Sequence, residues 1–139
     1  MAIYASHSKL LYLIGFLNSK LSQTYLGLFN EGLNYNQGDI AKLPILESPI
    51  EKEVGEKVQD IIQLSKKEWD SFEVSWDFQT HPLVAIRQNK SGETYRLSEI
   101  YEEWEKACAL RFSELKQKEE ELNRIFIDIY GLQDEMSPV

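Results

Sequence analysis

Apolar side chains recur at three- and four-residue intervals along most of this chain, and that helical period organises the rest of the sequence. Leu10, Leu13, Ile14, Leu17, Leu21, Tyr25 and Leu28 predict a first helix over residues 6–29. Ser6 or Ser8 is placed to cap it by accepting an otherwise orphan backbone N–H. Gly15 and Gly27 interrupt it, each at a cost of about 1 kcal/mol in helix propensity, so close packing against a neighbour is the expected reason for them. Asn30, Gly32, Asn34, Asn36 and Gly38 then form a turn-rich loop. Asp39 is placed to cap one short helical turn that Pro44 stops.

Ser48, Pro49 and Glu51 form a capping box with proline at the first helical position, and open a helix that runs to about Trp69. Its inner side carries Ile50, Val54, Val58, Ile61, Ile62, Leu64 and Ser65. The longest helix is predicted over about residues 98–130, with Tyr101, Cys108, Leu115, Leu122 and Ile129 spaced seven apart. Trp104 and Ile125 interleave, Arg111 and Lys118 interrupt, Phe112 and Phe126 widen the seam, and Gly131 is a natural stop. The expected fold is mainly α: a long hairpin of about 49–69 with 98–130, and an N-terminal helix (about 6–29) packed on or beside it. Between the hairpin arms lie an aromatic connector at 69–83 and a segment at 84–97. That segment reads as a minor β-hairpin or, more simply, a loop, because an isolated two-stranded hairpin is marginal in water.

Charge sharpens this picture. The net charge of −8 argues against a free-standing nucleic-acid binder. Residues 1–49 are balanced, with Lys9, Lys20 and Lys42 against Glu31, Asp39 and Glu47, so the whole excess falls on residues 50–139. Contact with a phosphate backbone is therefore better sought in the first third. The single cysteine, Cys108, excludes an internal disulfide and suits a reducing compartment, and its seam position suggests a small buried apolar residue. The most apolar stretch, Leu10 to Leu17, falls well short of the roughly 20 residues that span a bilayer, so no membrane is expected and a bacterial cytoplasmic location is.

Catalytic chemistry is not apparent. His7 and His81 are far apart, and His81, before a proline, suggests a structural role. There is no glycine-rich phosphate loop, no Ser-His-Asp or Cys-His arrangement, and no metal or cofactor site is expected. Asp70, Glu73 and Asp77 are close in sequence, but capping and turn roles suit them better than an acid/base or metal cluster. Trp69, Phe72, Trp76 and Phe78 are different, because four large aromatics within ten residues must find something to cover. They either plug the open end of the helical hairpin or dock another domain or protein.

The stretch Lys67-Glu68-Trp69-Asp70-Ser71-Phe72-Glu73, with Ser75-Trp76-Asp77-Phe78 and His81-Pro82-Leu83, resembles a pattern in the large adenine-specific DNA methyltransferases of BREX phage-defence systems, the PglX family. Tyr101-Glu102-Glu103-Trp104-Glu105 and the run from Glu120 to Leu132 resemble the C-terminal region of the same family. Leu10 to Phe29, Gly38-Asp39-Ile40 and Leu43-Pro44-Ile45 are similar to the end of its target-recognition domain, which type I specificity subunits and type IIG restriction-modification enzymes close comparably. The resemblance implies residues 1–48 as the end of a target-recognition region, and 49–139 as the helical hairpin with its connector. It also implies a parent that binds S-adenosylmethionine and positions adenine with an Asn/Asp-Pro-Pro-Tyr/Phe motif. No two prolines are adjacent here, so the methyltransferase domain is expected upstream and this chain is expected to be a non-catalytic C-terminal portion.

On that footing the segment holds the recognition domain in register while the target base is flipped and methylated. Asn34, Asn36, Gln37 and Lys42 are the residues expected nearest DNA, being polar and on a loop in the charge-balanced third, although the Asn and Gln side chains equally suit turn bonds. Expected partners are the remainder of the parent methyltransferase and, through it, DNA. The alternative is a protein-interaction module: a homodimer through the imperfect seam, or a docking site for another defence-system subunit.

Overall fold

The computed structural model describes residues 6–30, 32, 34–90 and 95–139, and no strand occurs among them. Six helices follow in order among the described residues: α1 (His7–Asn18), α2 (Lys20–Phe29), α3 (Gln37–Ala41), α4 (Glu51–Trp69), α5 (Pro82–Asn89) and α6 (Leu97–Tyr130). The mainly α expectation holds, with differences of detail that have clear causes.

The single helix expected over 6–29 is two helices, broken at Ser19, whose backbone is extended (φ −75°, ψ 154°). The Ser19 hydroxyl donates to the Phe16 carbonyl (2.6 Å) and accepts the Ser22 N–H (3.3 Å), so it closes α1 and caps α2. Lys20 N–H, orphaned by the break, is taken up by Asn123 Oδ1 of α6 at 2.9 Å. Apolar spacing does not reveal one extended residue between two helices in similar phase. Ser6 caps α1 as expected, accepting the Lys9 N–H. The short turn α3 is capped by Asn36 rather than Asp39, which is its third residue and completes a capping box. Pro49 and Ile50 form a turn, and α4 begins only at Glu51; the Ser48 hydroxyl accepts from Ile50 N–H (3.4 Å) and its carbonyl from Glu51 N–H (3.2 Å).

The segment expected as a hairpin or loop contains helix α5 instead. His81 Nδ1 accepts the Leu83 N–H (3.3 Å) and Pro82 occupies the first turn, so cap and proline start a helix that the short Val84-Ala85-Ile86 run hid. The tip of the expected hairpin, residues 91–94, lies outside the described residues.

The chain forms two compact units that divide within α4 and α6: Met1–Asp60 with Lys118–Val139, and Ile61–Gln117. In the first unit Phe126 is fully buried and sits edge-on to Tyr12 (5.4 Å) and Phe16 (5.6 Å). Phe16 stacks on Tyr130, and Leu13, Leu21, Leu26, Leu43, Val54, Val58, Leu122 and Ile127 complete the core. Here α4 and α6 run antiparallel, since Lys57 pairs with Glu121 (2.8 Å) and Asp60 with Lys118 (3.1 Å). Gly131 ends α6 at φ 67°, and bonds from Gly131 N to Asp128 O and from Leu132 N to Ile127 O close a Schellman motif.

The second unit is thinly packed. Ile100 is its one fully buried large apolar residue among the described residues, and Trp104 Nε1 is enclosed without a hydrogen-bond partner. The heptad seam is accordingly uneven: Leu122 and Phe126 are buried, whereas Tyr101 and Phe112 are exposed, against expectation for both. Cys108 is half-buried rather than fully buried, with Arg111 Nη2 3.2 Å from its sulfur, and Arg111 also pairs with Glu68 at 2.8 Å.

Gly15 and Gly27 are spared for different reasons. A Cβ on Gly15 would meet Val58 Cγ2 at 2.6 Å, while one on Gly27 would meet nothing within 4 Å. Val58 is itself buried and β-branched, so it cannot swing aside. Gly15→Ala is therefore expected to destabilise the protein by roughly 1–3 kcal/mol, and Gly27→Ala to stabilise it by up to about 1 kcal/mol. Urea unfolding followed by circular dichroism reads both.

Candidate functional site

Two surface features stand out, one in each unit. In the first, residues 30–46 are held by a buried carboxylate and two tyrosine hydroxyls. Asp39 is buried, and its Oδ2 accepts from Asn30 Nδ2 (3.1 Å) and Asn36 N–H (3.3 Å) while Lys42 Nζ approaches Oδ1 (3.4 Å). The Asn30 amide, then the Asn36 N–H, hold this carboxyl below its ordinary value of 3.8. Tyr130 donates to the Pro44 carbonyl and accepts the Leu46 N–H (3.2 Å), and Tyr12 donates to the Leu46 carbonyl (2.9 Å). Burial, with the neighbouring Tyr130, pushes the Tyr12 phenol up to about 12, so both hydroxyls remain donors throughout the physiological range.

Of the four residues expected nearest DNA, Asn36 is committed to the cap of α3 and Lys42 leans on Asp39. Asn34 and Gln37 are exposed, and Asn34 lends its carbonyl to Asn30 Nδ2 (3.0 Å). The loop brings all four to one short stretch around α3. The spacing of Asn36 and Asp39 carried a legible capping box; the roles of Tyr12 and Tyr130 had no signal, because their partners lie 34 and 84 residues away.

In the second unit, the aromatic connector is open rather than a plug. Trp76 is 101% exposed, Trp69 58% and Phe72 49%, while Phe78 is half-buried. Its backbone is nevertheless pinned. Ser75, buried, donates to Asp70 (2.7 Å) and accepts the Asp77 N–H (3.1 Å), and Lys66 binds both Asp70 (2.8 Å) and Asp77. Asp70 and Asp77 thus take the turn roles expected of them. The hydrogen bond from Lys66 does most to lower the Asp70 carboxyl, and the two aspartates raise Lys66 to about 12. His81 is structural, as its cap position shows.

No group of His, Cys, Asp and Glu among the described residues has the geometry to hold a metal ion, and no described helix is long and apolar enough to cross a membrane.

No family model matches the chain. Comparison with curated proteins is more informative. Over 135 residues, 95% of this chain, it is 40% identical to the adenine-specific methyltransferase PglX of Lacticaseibacillus casei (strain Zhang). The chain matches a segment of the PglX family. Over 119 residues it is also 26% identical to the adenine-specific methyltransferase BrxX of Escherichia coli O9:H4 (strain HS). The matched segment spans only 11% of PglX and 9% of BrxX, so the chain corresponds to about a tenth of the length of these relatives. The PglX match, at 95% of the chain, necessarily includes the α3 loop and the connector.

The Asp39 hub sets a pH dependence. A depressed carboxyl contributes stability that is present above its unfolded value and lost as pH falls through the folded one. The 36–42 turn is expected to hold at neutral pH and loosen below 3.8, and Asp39→Asn to loosen it already at neutral pH. The Asn36 and Asp39 amide resonances report both. Tyr130→Phe, which leaves the Leu46 N–H without its partner, is expected to cost roughly 1 kcal/mol in urea unfolding.

Proposed function

We propose that this chain is a non-catalytic, positioning portion of a phage-defence DNA adenine-N6 methyltransferase of the BREX type. The observation that carries the proposal is the 40% identity to PglX across 95% of the chain. In this reading the rest of the larger protein supplies the S-adenosylmethionine pocket and the catalytic motif. The present segment contributes a packed body, Phe126 and its neighbours, on which the α3 loop is fixed. A loop held by Asp39, Tyr12 and Tyr130 loses little entropy on meeting DNA, which favours register over raw affinity. Asn34 and Gln37 are the side chains it offers to bases or sugars, with Lys42 beside them for a phosphate.

A second reading has its own support. Trp69, Phe72 and Trp76 are exposed on a pinned turn, as suits a protein-interaction module, whether a homodimer or a contact with another defence-system subunit.

Fluorescence anisotropy with labelled duplex DNA at low and moderate salt, beside a methyl-incorporation assay with labelled S-adenosylmethionine, tests the first reading. Binding that weakens steeply with salt, and weakens again in Lys42→Ala and in the Asn34→Ala/Gln37→Ala pair, is expected, with no methyl transfer. No binding even at low salt contradicts a DNA contact made by this segment, and methyl transfer by the chain alone contradicts a non-catalytic role.

A further inference from the structure

Trp69, Val74 and Trp76 share one groove of about 300 Å3 with Lys66, Asp70, Ser75 and Asp77. Val74 is 68% exposed, so three of the largest apolar surfaces of the connector open onto a single concavity. The polar lining is rigid, because Ser75 and Lys66 tie Asp70 to Asp77 from both sides. Exposed tryptophans on a backbone that is already ordered have the composition and preorganisation of an interaction hot spot.

Charge selects the occupant. Lys66 is the one cation lining the groove and is shared between Asp70 and Asp77, while Glu73, in the same turn, is exposed and makes no ion pair among the described residues. The lining thus holds one cation against two carboxylates, and the exposed Glu73 adds a further negative charge in the same turn. A second copy of the chain would bring the same acidic excess on a protein of net charge −8, and a nucleic acid would bring phosphates. A cationic side chain suits both features at once: it lies over an indole face and offsets the net negative charge of the groove and the adjacent Glu73. We propose that the Trp69–Trp76 groove docks a protein segment that presents arginine or lysine beside an aliphatic side chain. This rests on the interaction reading above and gives its partner a chemistry.

The three tryptophan indole N–H resonances of the 15N-labelled chain are built-in reporters: Trp69 and Trp76 in the groove, Trp104 as an internal control. The probes are a blocked Arg-Leu-Leu-Arg peptide, its Glu-Leu-Leu-Glu counterpart and a short oligothymidine. The basic peptide is expected to move the Trp69 and Trp76 signals saturably at millimolar concentration, leave Trp104 in place and weaken with added salt. Trp76→Ala and Glu73→Gln, both at exposed positions, are each expected to raise its Kd by roughly two- to fivefold. Equal response to the acidic peptide, response to oligothymidine in place of the basic peptide, or no response to the basic peptide overturns the proposal. So does concentration-dependent self-association in sedimentation that Trp76→Ala abolishes, which would keep the interaction reading but make a second copy the occupant. DNA binding through Asn34, Gln37 and Lys42 is unaffected by any of these outcomes.

Discussion

The edge-on packing of Phe126 against Tyr12 and Phe16 brings two widely separated stretches of chain, α6 and α1, together in the first unit. Edge-to-face aromatic pairs contribute about 0.5–1.5 kcal/mol each beyond the area they bury. Their larger consequence here is positional. Phe126 fixes α6 against α1, and one turn later Tyr130 stacks on Phe16 and reaches the backbone at Pro44 and Leu46. Tyr12, edge-on to Phe126, reaches Leu46 as well. Close approach of α1 to α4 at Gly15 and Gly55 belongs to the same arrangement: Gly15 meets Val58, and Gly55 meets Leu11.

From that core the α3 loop inherits its order. The tyrosine hydroxyls hold its far end and the Asp39 carboxylate its near end, so Asn34, Gln37 and Lys42 project from a backbone anchored at both ends. The connector of the second unit is tied by a different route, through Ser75 and the Lys66–Asp70–Asp77 ion pairs rather than through burial. Its aromatics stay in solvent as a result. A core segment tied by buried rings and a turn tied by surface polar bonds suit two roles, support and contact.

Much of this was legible in the sequence. The helical period located α1, α2, α4 and α6, and the Gly131 stop was correct to the residue, because a left-handed helix end demands glycine. Ser19 escaped because a single serine is tolerated inside a helix as well as favoured at a cap, and the Asn123 partner that takes up the Lys20 N–H lies 103 residues away. α5 escaped because a run of Val, Ala and Ile is equally at home in a strand, and the His81-Pro82 start was read as part of the connector. Burial was the least legible property: Phe112 and Phe126 lie two heptads apart on one helix, yet the first is 71% exposed and the second fully buried. Helix phase says which face a residue occupies, while the neighbour that covers it comes from elsewhere in the chain. The family resemblance, by contrast, was carried by local runs of residues and could be seen without any of these long-range facts.

The difference in packing between the two units is the central physical claim, and hydrogen exchange of the intact chain read by mass spectrometry tests it most directly. Segments 12–26 and 122–130, which meet around Phe126, are predicted to exchange last, with 69–78 and 97–112 exchanging much earlier. Equal protection of 97–112 and 122–130, or early exchange of 12–26, would contradict the account.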